Sequence, residues 1–157
     1  MKKQKMSGKD VFAYDNNWSA CTPASEGDIA KIEKALSVKL PKELKTLLMT
    51  CAGGRPKNNF YQNDEYDIEV GLAQILPVKN EAKRDTVLEV HKQLTDVLEL
   101  PDGLIPFAED TGHANAFCVN IKSGKVVYWL HDEPDRRARE VCGSLKAFIS
   151  GLTECPY

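Results

Sequence analysis

Asp110 and Glu109 stand three and four residues before His113 in the stretch FAEDTGHANAFCVN, and a second cluster, HDEPD, begins at His131. Carboxylates and imidazoles gathered in loops can do general acid/base work, hold a metal ion, or shape a surface for a partner. A hydrolytic site would draw on Asp110 and His113 with His131. The surrounding sequence argues against it. There is no H-E-x-x-H, no G-x-S-x-G and no phosphate-cradling glycine-rich loop with a lysine. No catalytic residue, metal ligand or cofactor is therefore expected. His91, with no acid in view, reads as a helix-face residue.

The five cysteines, Cys21, Cys51, Cys118, Cys142 and Cys155, are scattered and form no C-x-x-C knuckle. Zinc sites and disulfide scaffolds both want denser spacing, so small buried thiols of a cytoplasmic protein are expected. A second group of acids, Asp64, Glu65, Asp67 and Glu69, surrounds an earlier loop. Such charges are either plain solvated loop residues or one acidic surface for a basic partner. The basic run RRAR, Arg136 to Arg139, could pair with the same acids internally. Tyr128 and Trp129 read as sheet residues rather than a base-stacking platform.

The chain has 157 residues, 42% of them hydrophobic, and a formal net charge of −2. That suits one domain with a real core and gives no reason to expect nucleic acid or a membrane as partner. The lysines of MKKQKMSGK lack the apolar segment of a signal peptide. Residues 1–20 are expected to be a flexible leader, and 21–157 a single domain.

Several elements must position these loops. SEGD at Ser25 has capping-box spacing, and Ile29, Ile32 and Leu36 continue it as an amphipathic helix. Pro41 opens a second helix with Leu44, Leu47, Leu48 and Cys51 on its buried stripe, ended by Gly53-Gly54. RPKNNFYQNDEYD reads as a loop with hairpin-like edges. YDIEVGLAQILPV supplies short strands, with Gly71 as the expected bulge. A third helix is predicted within NEAKRDTVLEVHKQLTDVLEL, burying Val87, Val90 or His91, Leu94, Val97 and Leu98, and a last one within SLKAFISGL. AFCVNI and VVYWLH form a hairpin about Ser123-Gly124. Ile121 then pairs with Val126, Val119 with Tyr128, Phe117 with Leu130, and Ala116 with His131. That register brings EDTGHAN and HDEPD together at the open end.

This ordered set resembles the SUKH superfamily, the Smi/Knr-type domain. The likeness is carried by SEGDIAKIEKALSVKLPKELKTLLMTCAGG, then LIPFAEDTGHANAFCVNIKSGKVVYWLHDE and SLKAFISGL. It departs at Ala52, where the family commonly has asparagine, and at His113-Ala114, where a Gly pair is usual. The resemblance implies an α+β fold, a mostly antiparallel sheet with helices packed against it. It also implies a non-enzymatic role. Many bacterial members are immunity proteins that neutralise protein toxins, often nucleases, and eukaryotic relatives are regulatory scaffolds. On this footing a cognate toxin is the expected partner. Its contacts are expected at Glu109, Asp110, His113, Asn115, His131, Asp132 and Glu133, with Asp64 and Glu65.

Overall fold

The computed structural model describes residues 18–79, 84–112, 115–132 and 138–156. Helix α1 (Glu26–Leu36) starts at a complete capping box, Ser25 and Asp28 each bonding the other's backbone N–H. Its Ile29 and Ile32 are buried. Pro41 is the N-cap of α2 (Lys42–Cys51), whose Leu44, Leu47, Leu48 and Cys51 are fully buried. Gly53, at φ +76°, turns the chain away, a conformation few other residues adopt without strain.

Strands β1 (Phe60–Asn63) and β2 (Ile68–Ile75) form the first hairpin. The stretch expected to be mostly loop therefore contains an edge strand. Helix α3 (Val87–Leu98) follows, capped by Thr86 and Glu89. Then come β3 (Leu104–Asp110), β4 (Ala116–Asn120), β5 (Val126–Trp129), β6 (Ala138–Cys142) and α4 (Leu145–Ser150). The six strands form one antiparallel sheet in simple sequence order. The architecture is α+β, as the family resemblance implied. The sheet curls until its outer strands meet. Tyr61 on β1 donates its hydroxyl hydrogen to Val141 O on β6 at 3.0 Å, and Phe60 pairs with Thr153 beyond α4. Burial pushes the Tyr61 hydroxyl up to about 12, so it stays a donor across neutral pH.

The concave face carries the main core, joined by α1, α2 and α4. The other face has a smaller cluster, Leu100, Leu104, Ala116, Cys118, Val127 and Trp129, under Leu94 and Leu98 of α3. Only Val87 of α3 is fully buried, and Val97 is 76% exposed, so the stripe expected for this helix is corrected at Val97. Trp18 packs on the core and Ser19 bridges Arg55, so the domain already includes residues assigned to the leader.

The β4–β5 register differs from expectation by two residues. Phe117 pairs with Tyr128, Val119 with Val126 and Ala116 with Trp129. The turn is longer than two residues. Asn120 Oδ1 accepts from the amides of Lys122 and Ser123, and Gly124 at φ +79° closes the loop. A slip of two keeps every side chain on its face. Phe117, Val119, Val126, Tyr128 and Leu130 accordingly all lie in the main core, with Ile121 against it.

The α1 cap gives a first test. Hydrogen bonding to the Ser25 amide, aided by Lys79, holds the Asp28 carboxyl below its ordinary 3.8. A depressed carboxyl stabilises the fold fully above its unfolded value, and that share is lost as pH falls through the folded one. Asp28→Asn should therefore lower stability at pH 7 by about 0.5–2 kcal/mol. In urea titrations at successive pH values, its deficit against wild type should shrink once the pH drops below 3.8.

Candidate functional site

In a six-strand meander the β1–β2, β3–β4 and β5–β6 connections necessarily emerge at one end of the sheet. The three acid-bearing segments of the sequence are these connections. Each is tied to its neighbours. Thr111 donates its backbone N–H to Gly71 O at 3.0 Å. A Cβ on Gly71 would lie 2.7 Å from Thr111 Cγ2, so the glycine serves this close approach. The expected bulge is not there; the register of β2 shifts at Ala73 instead. At the seam, Arg139 of β6 donates to Tyr66 O at 3.2 Å and to Asp67 O. The reading of RRAR as an internal partner of the acids thus holds for Arg139, through main-chain carbonyls more than through the Asp67 carboxylate 3.9 Å away.

Asp110 lies inside this end rather than on it. It is 5% exposed, and its Oδ2 accepts from Tyr128 Oη at 2.6 Å and Asn115 Nδ2 at 3.0 Å. The Asn115 amide N–H donates to Oδ1 at 3.3 Å. Asn115 Oδ1 in turn accepts from the His131 backbone N–H at 2.9 Å and lies 2.8 Å from His131 Nδ1. The partners fix both assignments: Asn115 must turn its NH₂ to the carboxylate, so His131 carries its proton on Nδ1 toward the oxygen. Asn115 thereby joins the β3–β4 loop to the β5–β6 loop. The two segments do meet as expected, but through this bridge and not by an Ala116–His131 pair.

Glu109 points the other way. It accepts from Gln74 Nε2 at 2.7 Å, and Gln74 Oε1 accepts from Arg84. Gln93, Asp85 and Asn115 complete the polar lining of a cavity of about 300 Å³ beneath α3.

Of the nine residues expected to contact a partner, Asp64, Glu65, His131 and Asp132 are exposed at this end. Asn115 and Asp110 are the internal bracket, and Glu109 belongs to the cavity on the opposite face. His113 and Glu133 lie outside the described residues. The sequence reading missed the hydroxyl of Tyr128 and the Gln74–Arg84 pair. No linear spacing announces them; Tyr128 and Asp110 are 18 residues apart.

Among the described residues, no group of three or more His, Cys, Asp and Glu side chains is placed to hold a metal ion, and no helix is long and apolar enough to cross a membrane. Cys51, Cys118 and Cys142 are buried, as the thiol reading had it, whereas Cys21 is half-buried and Cys155 exposed; burial raises the pKa of Cys51 and Cys118.

Comparison with known proteins places residues 23–151 in the SMI1 / KNR4 family (SUKH-1). No curated protein matches the chain. A similar solved structure is the crystal structure of a protein from Pseudomonas syringae pv. tomato. It is 24% identical, with a TM-score of 0.49, over 72% of this chain and 74% of the other.

Proposed function

We propose that this chain, which belongs to the SMI1 / KNR4 family (SUKH-1), is an immunity protein that binds a cognate protein toxin and silences it without catalysis of its own. The partner meets the three-loop end. The observation that carries this reading is the charge of the described residues at that end. Asp64, Glu65, Asp67 and Asp132 are exposed there, while Arg139 is turned onto main-chain carbonyls. Such a surface suits a toxin with a basic groove, as nucleases have. It raises the encounter rate and penalises wrong partners. Against the acid/base alternative, the Asp110 carboxylate is buried and accepts from Asn115 and Tyr128 inside the fold.

The test uses a variant confined to exposed side chains: Asp64→Lys, Glu65→Lys and Asp132→Lys together. Exposed ion pairs contribute ~0.2–1 kcal/mol each, so affinity for the cognate toxin should fall roughly 3- to 150-fold. The loss should sit mainly in the association rate and shrink with added salt, while the thermal melt stays near wild type. Unchanged affinity would place the partner elsewhere. A toxin that remains fully active when saturated with the chain would favour the regulatory-scaffold alternative.

A further inference from the structure

Two of the five cysteines have a relation that toxin binding does not use. Cys51 is the last residue of α2 and is fully buried. Cys21 lies on the segment leading into α1, and that segment is laid along the same end of α2. Thr22 donates its N–H to Ala52 O at 2.7 Å, and Ala24 to Leu48 O at 2.9 Å. Ser19 and Arg55 exchange backbone hydrogen bonds at 3.0 and 2.8 Å. Cys21 and Cys51 are neighbours, and each thiol acts on the other's ionisation. Gly54 makes room for this. A Cβ there would stand 2.8 Å from Cys21 Sγ and 2.7 Å from the Cys51 carbonyl oxygen.

We propose that Cys21 and Cys51 are a latent disulfide pair, closed by a peroxide oxidant, which fastens the segment preceding α1 onto the C-terminal end of α2. Cys21 is the partly exposed member, so it meets the oxidant first. Its sulfur attacks one peroxide oxygen, giving a sulfenic acid and one water. The Cys51 sulfur then attacks the Cys21 sulfur, forming the S–S bond, and the hydroxyl leaves with the Cys51 proton as a second water. Each peroxide supplies two oxidising equivalents and the pair loses two hydrogens, so the balance closes. Burial raises both thiols, Cys51 the more, which makes the closure slow at neutral pH and faster as pH rises. Cys118 and Cys142 are buried on the sheet, and Cys155 is exposed.

The experiment treats the folded full-length chain, as wild type and as Cys155→Ser, with hydrogen peroxide. Free thiols, intact mass and non-reduced peptides are then measured. The expected product is a chain lighter by two hydrogens with a Cys21–Cys51 cross-linked peptide. Its melting temperature should be several degrees higher, because the bridge restricts the unfolded chain, and dithiothreitol should reverse the change. Cys21→Ser, at the partly exposed position, should abolish the cross-link while keeping the fold. Peroxide that leaves both thiols free, carries Cys21 to a sulfinic acid, or links it to another chain overturns the proposal. So does a cross-linked form that melts below the reduced one.

Discussion

Phe148→Ala should destabilise the protein by about 3–5 kcal/mol, among the larger losses a single truncation produces. Phe148 is fully buried and is the hub of the aromatic cluster. Its ring centroid lies 4.6 Å from Tyr61, 5.1 Å from Phe117 and 6.1 Å from Phe107, the last edge-on. Truncation leaves a void among four elements, because the contacts belong to β1, β3 and β4 as well as α4. None of them can close it without moving the sheet. Helix α4 has only six residues and holds its shape by packing, since so short a helix does not persist alone. The chain then returns to β1 through the Phe60–Thr153 pair, so a loosened α4 also frees that edge. Urea denaturation measures the loss, and the melting temperature should drop by about 6–20 °C. Val97→Ala, at a 76% exposed position, is the control and should stay within about 0.5 kcal/mol. A small effect at Phe148 would mean that the aromatic cluster repacks.

The helices were legible because each carries its signal locally. Ser25 and Asp28 mark a start, and Leu44, Leu47, Leu48 and Cys51 mark a face. The inward set of the β4–β5 hairpin was also legible, since the misjudged turn shifted pairing by an even number. What the residues did not announce depends on odd insertions and on a strand without a pattern. In β3, Pro106 pairs with Cys118 and Ala108 with Phe117, which leaves Phe107 as an extra residue. One extra residue reverses the alternation beyond it. Counting by twos from Leu104 would put Asp110 on the α3 face; the bulge turns it into the main core beside Tyr128. Ala73 does the same in β2 and turns Gln74 toward Glu109. Strand β6, Ala138–Cys142, begins within the basic run and carries an arginine and a glutamate, so propensity does not mark it. Without it the meander is incomplete, and so is the reason why the Asp64 and Asp132 loops share one end.

Asp110→Ala is expected to cost about 2–4 kcal/mol and to lower the melting temperature by about 4–16 °C, although the sequence had placed this acid on a contact surface. The carboxylate receives hydrogen bonds from Tyr128 Oη and from the Nδ2 and backbone N–H of Asn115. Truncation strands these donors where water is excluded, and an unmet buried polar group costs more than its hydrogen bond contributed. Asp110→Asn keeps the shape and one acceptor oxygen, so it should lose less. Asp110→Lys should lose most, because it places an unpaired charge in the same space. Asn115 also holds the His131 amide, so loss of the carboxylate should loosen the β5–β6 loop as well as the fold. Hydrogen exchange at the Asn115 and His131 amides should rise in Asp110→Ala more than at strand-centre amides such as Cys118. A double-mutant cycle with Tyr128→Phe should give a coupling of about 0.5–3 kcal/mol, as expected for two members of one network. The outcome also separates two roles. A contact residue would lower partner affinity and leave the melt alone, whereas a bracket lowers the melt first and affinity only through the loops it positions. An Asp110→Ala protein that melts like wild type would put Asp110 back among the contact residues.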